Sequence, residues 1–103
     1  MTDQQSSTTV VHDTERLRYE LRSGGETIGE ATYHWDQGRV VMDHTVVDTA
    51  RREKGLGSAL AHGALDDLRE RGLRVVPQCP FIAAFIDEHP EYQDLVDEAP
   101  RDV

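Results

Sequence analysis

The chain has 103 residues and a single cysteine, so it has room for one domain and cannot form an internal disulfide. Its 20 acidic residues outnumber 11 basic ones and give a net charge of −9, which argues against nucleic acids and anionic membranes as partners. No apolar run approaches the length of a membrane span.

The domain is expected between two short tails. Residues 1–9 are polar and lack the apolar core of a secretion signal, so we predict a disordered tail and a cytoplasmic protein. One cysteine also agrees with a reducing compartment. We place the domain at residues 10–97 and a C-terminal tail at residues 98–103.

The first half of the chain has the pattern of antiparallel β-strands. Residues 16–22 alternate strictly between apolar and charged side chains, which is typical of a half-buried strand. Residues 27–35 and 39–47 form two further strands, each preceded by a glycine-bearing turn. Residues 10–12 are predicted as an extra edge strand. The strand at 39–47 is apolar on both faces near its end, which favours a central position.

The second half changes to helical spacing. Apolar residues recur every three to four positions from Leu56 to Leu68, and Gly72 is a suitable left-handed stop. Residues 73–76 then predict a buried strand, and Pro80 begins a short helix that ends near Glu88. Because strands joined by a helix are normally parallel, we predict an α/β (α+β) fold with a mixed sheet, in which an antiparallel meander precedes a strand-helix-strand-helix unit.

A basic, glycine-bearing segment precedes the first helix. Arg51, Arg52 and Lys54 place three positive charges within four residues, which indicates a bound anion. Gly55 and Gly57 lack a Cβ, so the backbone there can approach a phosphate and point its N–H groups at it. The alternative is a plain tight turn without a ligand.

Cys79 is predicted at or just before the N-terminus of the second helix. The helix dipole and free N–H groups favour a thiolate at such a position, which suits nucleophilic chemistry. The alternative is a small core residue. His44 alternates with Met42 and Val46, so we interpret it as facing the core rather than acting as a base, and His62 and His89 are expected on the surface. No metal site is predicted, because the cysteine and histidines lack ligand spacing.

The motif Arg52-x-x-Gly55-x-Gly57, after a β-branched strand and at the start of a helix, resembles the acetyl-CoA pyrophosphate loop of the GNAT superfamily of N-acetyltransferases. The Cys-Pro-Phe at 79–81 and the His-Pro-Glu-Tyr at 89–92 extend the similarity to the small, single-domain GNAT-like proteins, over residues 12–96. Lys54 stands where many relatives have arginine and Asp48 where a proline is common. The N-terminal helices that shape the acceptor site of larger GNAT enzymes are absent.

The resemblance implies a role for each matching position. The backbone of residues 52–58 would bind the pyrophosphate, residues 45–47 would pair with the pantetheine arm, and Cys79 would lie near the acetyl group as a catalytic residue. A backbone N–H near Val46 or Val47 would polarise the thioester carbonyl. Tyr92 could protonate the departing thiolate, although we favour an aromatic anchor. The implied acetyl-CoA-binding residues are Thr45, Val46, Val47, Arg52, Glu53, Lys54, Gly55, Leu56, Gly57, Ser58, Phe81 and Phe85.

The leading functional prediction is an acetyltransferase that uses acetyl-CoA to modify an amine on a small molecule or a protein, either directly or through Cys79. The alternative is an acyl-CoA-binding module or sensor without catalysis, which the missing acceptor helices favour. A plain interaction domain is a third class. We expect a monomer or weak homodimer that binds neither nucleic acid nor membrane.

Overall fold

The computed structural model describes residues 8–48 and 55–97. These residues form a five-stranded sheet, two α-helices and a final 3-10 helix. In chain order the elements are β1 (Thr8–Asp13), β2 (Arg18–Ser23), β3 (Glu26–Asp36), β4 (Arg39–Val47), α1 (Leu56–Glu70), β5 (Val75–Pro77), α2 (Pro80–Glu88) and the 3-10 helix (Pro90–Leu95).

The sheet is mixed, which confirms the predicted fold class. Its strand order is β1-β2-β3-β4-β5, with antiparallel pairing from β1 to β4 and parallel pairing between β4 and β5. The predicted edge strand is present and longer than residues 10–12, and the last strand lies two residues later than its predicted start. The strand β4 has a neighbour on both sides, as its apolar sequence indicates.

Both helices pack on one face of the sheet. The apolar residues of α1 pack against Tyr19, Leu21, Ala31 and Met42, whose exposed fraction is 0%. The α2 residues Ile82, Phe85 and Ile86 belong to the same core. Among residues 8–48 and 55–97, no helix covers the opposite face, which we call the open face. Neither described helix is long and apolar enough to cross a membrane.

A polar cluster links the N-terminal strands to α1. The His12 ring stacks on Tyr19 at 4.1 Å between centroids, and its Nε2 lies 2.6 Å from the Tyr33 hydroxyl. The Tyr19 hydroxyl donates to Asp67 of α1 at 2.7 Å. Burial lowers the pKa of His12, which favours the neutral ring in the folded protein. The cluster therefore holds the edge strand β1 through polar contacts as well as packing.

The open face holds a buried carboxylate. Glu20 is only 2% exposed, although alternation along β2 predicts a solvent-facing position. Arg22 lies 2.6 Å from one carboxylate oxygen and Arg18 lies 2.7 Å from the other. Hydrogen bonds from Arg22 and Arg18 lower the pKa of Glu20, so its carboxylate stays ionised beside its two arginine partners.

An irregularity in the pairing of β3 and β4 corrects the interpretation of His44. Thr32 pairs with His44 and Tyr33 pairs with Met42, so Asp43 is an extra residue in β4. This bulge shifts the alternation of β4 by one residue. Met42 is buried whereas His44 is exposed, and the prediction that His44 faces the core is wrong.

Candidate functional site

The gap between β4 and α2 is the candidate site. Parallel pairing of β4 with β5 ends at Met42 opposite Pro77. The chain then turns into α2, and the Cys79 N–H donates to the Met42 carbonyl at 2.8 Å. In the described ranges no strand pairs with residues 45–47 on the side away from β3. The end of β4 therefore has an open edge beside the start of α2.

The backbone of this open edge can bind an extended ligand. The Asp48 N–H donates to the Ile28 carbonyl of β3 at 2.8 Å. Because successive amides of a strand point to opposite sides, the Val47 N–H points away from β3 and into the gap. Of the two predicted carbonyl-polarising amides, at Val46 or Val47, this geometry favours Val47.

Cys79 lies at the closed end of the gap. Its side chain is 5% exposed, and its thiol donates to the Thr45 hydroxyl at 3.4 Å. Cys79 is the N-cap residue of α2, and Pro80 takes the first helical position, where the missing N–H costs nothing. The structure thus brings together Thr45 and Cys79, two predicted site residues that are 34 positions apart in the sequence.

The N-terminus of α1 has the features of an anion site. Gly55 is its N-cap residue, with a left-handed φ of 79°, and open space surrounds the position of a Cβ there. Among residues 8–48 and 55–97, no side chain caps the N-terminus of this helix, and no acidic residue lies in its first turn. The first N–H groups of an α-helix have no partner within the helix. Those of Leu56, Gly57 and Ser58 are therefore suited to an anion.

Gly57 also has a packing role. A Cβ at Gly57 would lie 2.8 Å from the tip of the Phe81 ring, so a larger residue there would displace this ring. Phe81 is 40% exposed and forms part of the surface between the two helix N-termini. Of the other predicted loop residues, Leu56 is buried in the core and Ser58 is exposed. Arg52, Glu53 and Lys54 lie outside the described residues.

Phe85 lies deeper than Phe81, in an aromatic cluster between α1, α2 and the 3-10 helix. It is 4% exposed, its ring stacks on His89 at 4.0 Å, and it meets the edge of His62 at 5.0 Å. The His89 Nδ1 lies 2.9 Å from the Phe85 carbonyl. His62 and His89 are therefore half-buried packing residues, and their predicted surface position is wrong.

Tyr92 closes the same cluster. It is 4% exposed, and its hydroxyl donates to Asp66 at 2.7 Å and lies 2.9 Å from the His62 Nδ1. Burial, together with Asp66, raises the pKa of Tyr92 well above its ordinary value, which disfavours loss of its proton. The geometry favours the aromatic anchor over the proton donor.

Comparison with known proteins agrees with this arrangement. A family model described as GCN5-related N-acetyl-transferase matches residues 18–95. Protein NATD1 of Bos taurus is 34% identical over 88 residues, which cover 84% of this chain and 78% of that protein. NATD1 of Xenopus tropicalis is 30% identical over 102 residues, which cover 90% and 87% of the two chains.

A solved structure has the same fold. The NMR structure of a GCN5-like protein from Staphylococcus aureus superimposes with a TM-score of 0.66 and covers 95% of this chain and 96% of its own. Its sequence identity is 20%, so the similarity concerns the fold alone. The family match spans most of the chain and includes β4, α1, β5 and α2, the elements that surround the gap. The chain belongs to the family of GCN5-related N-acetyltransferases.

Proposed function

We propose that the protein binds acetyl-CoA in the gap between β4 and α2 and transfers the acetyl group to an amine. The observation that carries this proposal is the convergence of three features at one place. They are the open edge of β4 at Val47, the N–H groups at the N-terminus of α1 and the sulfur of Cys79. Family membership supports the same activity.

Each part of the coenzyme has a suitable counterpart. The diphosphate would lie at the N–H groups of residues 56–58, where the α1 dipole favours negative charge and Gly55 leaves space. The basic residues Arg52 and Lys54 precede this turn in the sequence and would add charge. The amide-bearing arm would pair with the backbone of Val47, and exposed Phe81 would contact it. Buried Phe85 would support Phe81 from behind.

Two routes conserve atoms and charge. In the direct route, a neutral amine nitrogen bonds to the acetyl carbon, the carbon–sulfur bond breaks, and the proton lost by the nitrogen passes to the departing thiolate. In the covalent route, the Cys79 sulfur bonds to the acetyl carbon, the bond from that carbon to the CoA sulfur breaks, and the Cys79 thiol proton passes to the CoA thiolate. The amine then attacks the new thioester, the bond to the Cys79 sulfur breaks, and the proton lost by the nitrogen returns to that sulfur. The covalent route depends on the Cys79 sulfur, which lies beside Thr45 at the N-terminus of α2.

An acceptor screen tests the proposal. Purified protein is incubated with acetyl-CoA and a panel of amines that includes diamines, amino acids and lysine peptides, and released CoA thiol is measured. We expect thiol release that depends on both the protein and an amine, with a matching acetylated product. Tight acetyl-CoA uptake without turnover on any amine would instead favour the non-catalytic binding module.

Tyr92→Phe separates anchoring from proton donation. The substitution keeps the ring and removes the hydrogen bonds with Asp66 and His62, so we expect a loss of about 1–2 kcal/mol in the free energy of unfolding. The kcat for amine acetylation should change less than about twofold, because the hydroxyl serves packing. Urea unfolding and steady-state kinetics give the two numbers. A fall in kcat of more than about tenfold, with stability retained, would return Tyr92 to the reaction.

A further inference from the structure

The side chain of Thr45 contacts the sulfur of Cys79. The distance from the Cys79 sulfur to the Thr45 hydroxyl oxygen is 3.4 Å. Within the two described ranges of the chain, no other side chain is hydrogen-bonded to this sulfur. In the proposed complex with acetyl-CoA, residues 45–47 pair with the coenzyme through their main chain. The hydroxyl of Thr45 can therefore have a separate role.

The bulge at Asp43 directs Thr45 toward Cys79. Side chains three residues apart in a regular strand lie on opposite faces, so Thr45 would face away from the side of buried Met42. The extra residue Asp43 shifts this alternation by one residue. Thr45 is consequently paired with Ala31, which belongs to the core on the helix-covered face of the sheet. Thr45 and Cys79 thus meet because of the bulge.

Contacts on the open face hold the bulge in place. The Asp43 carboxylate accepts a hydrogen bond from the Thr32 hydroxyl at 2.6 Å and lies 2.7 Å from the His34 Nδ1. Both partners belong to β3, so the extra residue is bonded to the neighbouring strand at two points. The orientation of Thr45 is therefore set by the sheet itself.

A hydroxyl can bond the sulfur in both of its protonation states. The Thr45 oxygen accepts from the neutral thiol, and its own hydrogen can rotate to donate to a thiolate. A hydrogen bond to the charged form of a group favours that form. The helix offers less, because Pro80 at its first position has no N–H and the Cys79 side chain makes no capping hydrogen bond within the described part of α2. The Thr45 hydroxyl is the donor best placed to stabilise charge on the sulfur.

We infer that Thr45 is a positioning residue, which holds the Cys79 sulfur and stabilises the negative charge that develops on it during the covalent route. As the sulfur bonds to the acetyl carbon and the bond to the CoA sulfur breaks, the thiol proton passes to the CoA thiolate and Thr45 keeps its own proton. When the amine displaces the acetyl group, the Thr45 hydroxyl donates to the departing Cys79 sulfur until the proton lost by the nitrogen returns to that sulfur. This inference rests on the proposed covalent route and adds a residue on which it depends.

Alkylation of Cys79 tests this role without any acetyl transfer. Cys79 is the single cysteine of the chain, so iodoacetamide uptake measured by mass spectrometry reports on this sulfur alone. Thr45→Val removes the hydroxyl, and we expect alkylation about fourfold slower than in the wild type at about pH 7, because less of the sulfur is thiolate. At about pH 10 the thiol is ionised in both proteins, and the slowing should disappear. Equal rates at about pH 7, or the same slowing at both pH values, would overturn the role of the hydroxyl.

Further variants separate the hydroxyl from changes in packing. Thr45→Ser retains a hydroxyl, and its alkylation rate should lie within about twofold of the wild-type rate at both pH values. Thr9→Val makes the same substitution at an exposed position of β1 and should match the wild type. Thr45→Ala gives the same comparison if Thr45→Val does not fold. A Thr45→Ser protein as slow as Thr45→Val would refute the assignment.

Acetylation of Cys79 in a single turnover separates this inference from the proposed function. With acetyl-CoA alone, Thr45→Val should gain the acetyl group at least about tenfold more slowly than the wild type, while the Kd for acetyl-CoA stays the same. An acetylation rate equal to that of the wild type would refute the role of Thr45. Absence of acetylation in the wild type would refute the covalent route instead, and the alkylation rates would still decide whether Thr45 stabilises the thiolate.

Discussion

Gly63→Leu is expected to lower the free energy of unfolding by about 3 kcal/mol, which is a large share of the stability of a small domain. Gly63 lies in the middle of α1, where glycine is a poor helix former. A Cβ at this position would lie 2.4 Å from a methyl carbon and 2.6 Å from the Cβ of Val10 in β1. The strand backbone would have to move, because the Val10 Cβ cannot rotate away. Chemical denaturation monitored by circular dichroism measures the loss.

Two further variants make this prediction specific. Glu70→Leu adds the same side chain at an exposed position of α1 and is expected to change stability by less than about 0.5 kcal/mol. The double variant Gly63→Leu/Val10→Gly should be more stable than the sum of the single losses indicates, with a coupling of about 1 kcal/mol or more. A Gly63→Leu protein as stable as Glu70→Leu would contradict the close packing of β1 on α1.

Cys79→Ser is expected to reduce turnover at least about 100-fold, equivalent to about 2.7 kcal/mol of activation free energy, while leaving acetyl-CoA binding intact. Serine has nearly the same shape and can keep the hydrogen bond with Thr45, but its hydroxyl is a much weaker nucleophile at neutral pH. Cys79→Ala should show the same loss of activity. Turnover is followed by CoA thiol release, and binding by calorimetry.

Mass spectrometry provides the second measurement on Cys79. After incubation with acetyl-CoA alone, the wild-type protein should carry one added acetyl group, which both variants should lack. Unchanged turnover in Cys79→Ser would remove the sulfur from the mechanism and leave the direct route. The melting temperature serves as the control, since serine in place of a thiol that is 5% exposed should shift it by only a few degrees.

The regular elements could be predicted because their signals are local. Proline at Pro80 and Pro90 and glycine at Gly72 limit the helices, and the observed α1 and α2 begin at the predicted residues. Strict alternation identified β2, whose Tyr19 and Leu21 are fully buried. The parallel pairing of β4 with β5 followed from the intervening helix.

The features that were missed depend on contacts between distant segments. The extra residue Asp43 has no marker in the sequence, and it reversed the orientation expected for His44. Glu20 is buried between two arginines, Arg18 and Arg22, which lie on either side of it in the same strand. Alternation alone predicts that Glu20 faces solvent. A cleft lined by residues 27–30 and 46–48 forms only once β3 and β4 are in register. The fold was therefore easier to predict than the face of the sheet on which each strand side chain lies.

An acetyl-CoA titration of ¹⁵N-labelled protein, followed by NMR, tests the central claim most directly. We expect saturable amide shifts at Val47, at residues 55–58 and at Cys79, with a Kd that rises with salt because salt screens the charge of the diphosphate. Saturation without shifts at these positions, or no binding at millimolar acetyl-CoA, would contradict the placement of the coenzyme between β4 and α2.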